Sequence, residues 1–152
     1  MEASETRRGW VLTDYHDPSD IMRSSDVVPI MSEEQLRKVL ESLAKLDARV
    51  AVLQSPNGSH MSIAIGGPFA GVDFCGSPTV EMPLMGRPQQ ACTDKEAYFS
   101  MEGETIRLPA DALMPVSTAI RVLTHFFRAA ELPDWIDWVR WHEGGAPWYL
   151  DS

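Results

Sequence analysis

The sequence predicts an α+β domain, a twisted, mainly antiparallel sheet with two main helices packed on one face. Three observations predict it. Two stretches, Leu36 to Leu46 and Val116 to Ala130, place apolar residues at helical spacing. Between them lie short runs of strand period, separated by turns rich in Gly, Pro and Asn. The helices stand apart from the strands instead of alternating with them, which favours antiparallel α+β packing over a parallel βαβ sheet.

The chain begins with a stretch, residues 1–26, expected to be a weakly structured extension. Its TDYHDPSDIMRSSD segment mixes Asp, Ser and Pro without an amphipathic period. Within it, Gly9 to Leu12 suggests a short edge strand, or a place where Trp10 packs onto the body. Residues 27–141 are expected to form a single domain, and residues 142–152 a tail.

The domain opens on Val27 to Ile30, a strand whose Pro29 suits an edge. Ser32 reads as a helix N-cap with Gln35 completing a capping box, and Glu33 and Glu34 suit the positive helix end. Leu36, Val39, Leu40, Leu43 and Leu46 fall on one face of this helix, which should end near Asp47. Arg49 to Gln54, His60 to Ile65 and Gly71 to Cys75 then read as an antiparallel meander. The first turn is Ser55-Pro56-Asn57-Gly58, and Gly66-Gly67-Pro68 breaks the second strand. In HMSIAI, Met61, Ile63 and Ile65 share a face.

Gly76 to Asp94 reads as a long loop, with room for a strand at Val80 to Leu84. Glu96 to Met101 and Glu104 to Leu108 form a hairpin about Glu102-Gly103. Pro109 to Met114 is a connector, and Pro115 suits the first turn of the second helix. That helix carries Val116, Ala119, Ile120, Leu123, Phe126, Phe127 and Ala130 on its apolar stripe and stops at Leu132-Pro133. Trp135 to Trp141 alternates as a last strand. In a two-layer fold only one of its faces enters the core, so either Trp138 or the pair Trp135 and Trp141 is left for the tail or a partner to cover.

Composition narrows the function. Asp and Glu total 22 against 13 Lys and Arg, a formal net charge of -9. Such a surface repels nucleic acid and anionic membrane, so neither is expected as a direct partner; it fits a basic protein partner, or simply a soluble acidic protein. The opening MEASETRRGWVL has no apolar signal-peptide core, and no apolar run approaches the roughly 20 residues of a membrane span. The expected location is cytoplasmic, with Cys75 and Cys92 reduced.

No catalytic motif stands out. His16, His60, His125 and His142 are scattered, and HExxH, GxSxG and phosphate-loop patterns are missing from the sequence. No zinc-type Cys/His spacing occurs, so neither metal nor cofactor is expected. Ser62 and Ser117 lack recognisable triad partners, and Cys75 and Cys92 lack a context that would activate a thiol. Carboxylates are the remaining candidates: Asp94, Glu96, Glu102, Glu104 and Asp111 outnumber Lys95 and Arg107 around the hairpin. They suit a solvated turn or a docking surface for a basic partner; acid/base catalysis by a pair of them is the weaker alternative.

The run Val116 to Trp138, VSTAIRVLTHFFRAAELPDWIDW, resembles the C-terminal part of immunity proteins of bacterial polymorphic toxin systems. It is most similar to the first-numbered immunity family, often found beside deaminase toxins. The early VVPIMSEEQLRKVLESL unit, the SIAIGG strand and the YFSMEGETIRLP hairpin follow the order of that family's elements. The resemblance covers about Val27 to Trp141. It implies an α+β fold with a characteristic Trp, matched by Trp138, and a characteristic Glu, for which Glu81, Glu102 and Glu104 are all candidates. It also implies a non-enzymatic antitoxin that binds a cognate toxin domain, plausibly a basic nucleic-acid deaminase, and blocks its active site. The expected toxin-binding residues are then Glu81, Asp94, Glu96, Glu102, Glu104 and Asp111. The alternative is an adaptor or secretion-associated chaperone that binds a basic partner without neutralising it.

Overall fold

A computed structural model describes residues 9–15, 27–76, 84–101 and 104–140. In chain order the elements are β1 (Val11–Asp14), β2 (Val27–Pro29), α1 (Glu33–Leu43), β3 (Arg49–Gln54), β4 (His60–Ile65), β5 (Phe69–Cys75) and β6 (Leu84–Arg87). They continue with β7 (Ala97–Met101), β8 (Glu104–Leu108), a 3₁₀ turn (Ala110–Ala112), β9 (Met114–Pro115), α2 (Val116–Ala129) and β10 (Asp137–Arg140). The main sheet runs β10-β6-β5-β4-β3-β1-β2, and each neighbouring pair is antiparallel. This is the expected α+β architecture.

The start of α1 follows from its sequence. Ser32 Oγ accepts from Gln35 N at 3.1 Å. The reciprocal bond reaches one residue further back than a standard capping box: Gln35 Oε1 accepts from Met31 N at 2.7 Å. Gln35 Nε2 also donates to Pro29 O at 2.9 Å, tying the helix to β2. The helix ends at Leu43, before the expected Asp47. Lys45 N and Leu46 N bond back to Ser42 O and Leu43 O, so the chain tightens into a turn. Leu46 is 50% exposed and offers no burial to extend the helix.

Pro115 precedes α2 with extended backbone and does not form its first turn. The helix closes at Ala130, whose φ of 57° is left-handed and whose N–H bonds to Phe126 O at 2.7 Å. Ala130 is therefore an exposed cap, not part of the apolar stripe.

Both helices cover one face of the sheet. Leu36, Leu40 and Leu43 of α1 and Ile120, Leu123, Phe126 and Phe127 of α2 pack over Leu12, Leu53, Met61, Ile63, Ile65 and Val72. Trp10 lies edge-on to Phe126 and Phe127, with ring centroids 5.2 and 5.0 Å apart. The strand that follows it is interior, paired with β2 on one side and β3 on the other, where an edge was expected. Arg49, buried in β3, reaches Asp14 of β1 at 2.9 Å and Asp47 O at 2.8 Å.

The opposite face carries a second, smaller core. Val50, Ala64 and Met85 of the sheet meet Phe99, Ile106 and Leu108 of the β7–β8 hairpin, with Ala112 and Leu113. The hairpin is thus a partial third layer. Its backbone joins the main sheet at one register position, Arg49 opposite Ser100, where Ser100 N bonds to Ala48 O at 3.3 Å.

Two strand boundaries differ from expectation. A strand does interrupt the expected long loop, but at Leu84–Arg87, paired with β5 and β10. Val80 lies outside the described residues. The last strand is shorter than Trp135 to Trp141: Trp135 falls in the preceding turn, and Trp141 lies outside the described residues.

Candidate functional site

Alternation along the hairpin sorts its side chains. Phe99, Ile106 and Leu108 face the sheet and are buried. Tyr98 and Arg107, opposite each other in the register, face outward with Glu96 beside them. Arg107 Nη1 donates to Glu96 Oε1 at 3.1 Å, and the Tyr98 hydroxyl donates to Glu96 Oε2. Tyr98 remains 54% exposed, although a tyrosine ring gains by burial.

The other candidate carboxylates spread out from this cluster. Asp94 is exposed two residues before Glu96, and Glu104 is exposed at the start of β8. Neither forms an ion pair among the described residues. Asp111, on the 3₁₀ turn, pairs with Arg87 of β6 at 2.9 Å. Glu81 and Glu102 lie outside the described residues. Glu96 and Asp111 are thus each matched locally by an arginine, and exposed pairs of this kind add little to folding. Asp94 and Glu104 project charge without such a match among the described residues.

Behind the hairpin lies a pocket of about 330 Å³. Ala48, Pro68, Phe69, Phe99 and Leu113 form much of its wall, with Thr93, Lys95, Glu96 and Tyr98 also lining it. Four separate segments build it: the entry to β3, the β4–β5 turn, the approach to β7 with β7 itself, and Leu113 between the 3₁₀ turn and β9. Sequence reading missed both the pocket and Tyr98. The alternation in AYFSM held the signal, since burying Phe99 turns Tyr98 outward.

Trp138 occupies a different place. Its indole is half-buried against the helix-face core, and Nε1 donates to Pro133 O at 3.0 Å. It stands opposite Gly86 in the register. A Cβ on Gly86 would lie 3.1 Å from its ring and 2.6 Å from Val72 Cγ2. The glycine leaves the space that the indole fills. Trp135 packs against the same core, and Arg121 lies over its ring at 4.6 Å.

Among the described residues the remaining reactive side chains do not converge. Cys75 and Cys92 form no disulfide. His125 sits on α2 with its ring edge-on to Trp135 and Nδ1 3.4 Å from Arg128 Nη2. Among the described residues, no group of three or more His, Cys, Asp or Glu is placed to hold a metal ion. No helix among them is long and apolar enough to cross a membrane.

What this geometry offers is a recognition surface: an exposed aromatic, a mostly apolar pocket and carboxylates around them. The family model for Immunity protein Imm1 matches residues 24–142. The chain belongs to the Imm1 family of immunity proteins. The match spans nearly the same residues as the resemblance, about Val27 to Trp141, and takes in β2 through β10, so the hairpin, the pocket and Trp138 all fall inside the Imm1 region. Only β1 of the sheet precedes it. No curated protein matches the chain. An Imm1 protein is an immunity protein, and membership implies binding to a cognate toxin.

Proposed function

We propose that this Imm1 protein neutralises a basic, nucleic-acid-acting toxin domain, a deaminase, by binding it in the cytoplasm and covering its active site. One observation carries the choice of toxin class: a formal net charge of -9, with Asp94 and Glu104 exposed on the hairpin side and without an ion pair among the described residues. A domain that grips nucleic acid presents a basic groove, because phosphate contacts supply much of that affinity. An acidic inhibitor meets such a groove with complementary potential and gains association rate from it. No chemistry is required of the inhibitor, since occupying the groove excludes the substrate.

The test is co-expression in a sensitive host. The domain to express is the C-terminal domain of the open reading frame immediately upstream of this protein's gene, and survivors are counted with and without the Imm1 protein. Rescue is expected, together with a stoichiometric complex whose association slows as salt rises. A purified pair that does not associate overturns the proposal. Association that leaves the toxin active replaces it with the adaptor reading. A deaminase assay on the isolated toxin domain decides the reaction class.

A further inference from the structure

The pocket beside Tyr98 combines features that a solvated hairpin does not need. Its wall is mostly apolar, and four chain segments build it. An aromatic at its rim is more than half exposed. Its volume, about 330 Å³, is at the bottom of the range for small-molecule sites and has room for one large side chain. Lys95 and Glu96 line it with opposite charges and the rest of the wall is mostly apolar, which suits an uncharged occupant. Glu96 lines the pocket, and Asp94 lies between the lining residues Thr93 and Lys95.

We propose that this pocket is the energetic centre of the toxin interface, taking one apolar or aromatic side chain from a basic toxin surface whose flanking cations meet Asp94 and Glu96. This rests on the toxin-binding reading above and assigns it a place. Charge complementarity selects the partner: a chain of net charge -9 favours a cationic protein over a second copy of itself. Interface energy concentrates in a few aromatic and pocket contacts that exclude water, while surrounding charges set the association rate. Tyr98 and the pocket supply the first, and the carboxylates the second.

Two substitutions test it by opposite means. Tyr98→Ala removes the aromatic wall. Gly67→Trp fills the mouth from the β4–β5 turn, where a Cβ approaches only Phe69 O, at 4.0 Å. Each variant of the full chain is titrated against a catalytically inactivated form of the neighbouring toxin domain, and its melting temperature is measured alongside. Both are expected to melt like wild type and to bind about 30-fold or more weakly, mainly through faster dissociation. Glu41→Gln, on the exposed side of α1, should bind unchanged. Wild-type affinity in both pocket variants, with wild-type neutralisation intact, overturns the pocket and leaves the parent proposal standing. Failure of the wild-type chain to bind the toxin overturns both.

Discussion

Leu108 lies directly over Gly71. A Cβ placed on Gly71 would come within 2.4 Å of Leu108 Cδ1 and 3.4 Å of Ala112 O. The hairpin therefore reaches the sheet through the space a missing side chain leaves. Gly71→Ala should push Leu108 outward and destabilise by about 1–3 kcal/mol, the usual range for overpacking. Hydrogen exchange should show the loss concentrated in β7 and β8, with the helix-face core protected as before. Uniform loss across the sheet would contradict this.

Trp138 is expected to act through stability. Trp138→Ala removes a half-buried indole and its bond to Pro133 O, at a cost of about 3 kcal/mol. Neutralisation should fall at the growth temperature and return on cooling, in step with the folded fraction measured by thermal melts. A variant that is fully folded but inactive would instead place Trp138 in the interface.

The ion pair between β1 and β3 gives a third expectation. Arg49 is buried, and Asp14 accepts its Nη1 at 2.9 Å. Asp14→Asn leaves that guanidinium without its counter-charge and should destabilise by about 2–3 kcal/mol. Chemical denaturation with an unchanged m-value would confirm a simple stability loss. A change below about 0.5 kcal/mol would show that other groups already satisfy Arg49.

Exposed carboxylates should affect rate more than fold. Asp94→Asn combined with Glu104→Gln is expected to slow toxin association a few-fold at low salt and hardly at all at high salt. Stability should move by less than about 0.5 kcal/mol, because neither side chain is ion-paired among the described residues. Stopped-flow association at two ionic strengths separates this from a general loss of binding, which would leave a salt-independent defect.

Local signals made much of the fold legible. Ser32 and Gln35 marked the start of α1, and alternation placed Met61, Ile63 and Ile65 on one face. What escaped depends on contacts distant in sequence. LMGR does not read as a strand because Gly86 interrupts it, yet that glycine is where Trp138 and Val72 close in. The interior position of β1 depends on β2 and β3 closing around it, which four residues cannot announce. At the candidate site, carboxylate types were readable but their partners were not. Arg87 and Arg107 find Asp111 and Glu96 only after the chain has folded.

The hairpin's attachment has a consequence for inheritance. Its inward residues, Phe99, Ile106 and Leu108, are fixed by packing, and a single backbone register position ties it to the sheet. Its outward positions, Tyr98 and Arg107 among them, carry little of the scaffold. A lineage confronted with an altered toxin can exchange the outward set one residue at a time while every intermediate still folds. On the proposed interface, recognition and foldability then vary separately, on alternate residues of the same ten-residue ribbon.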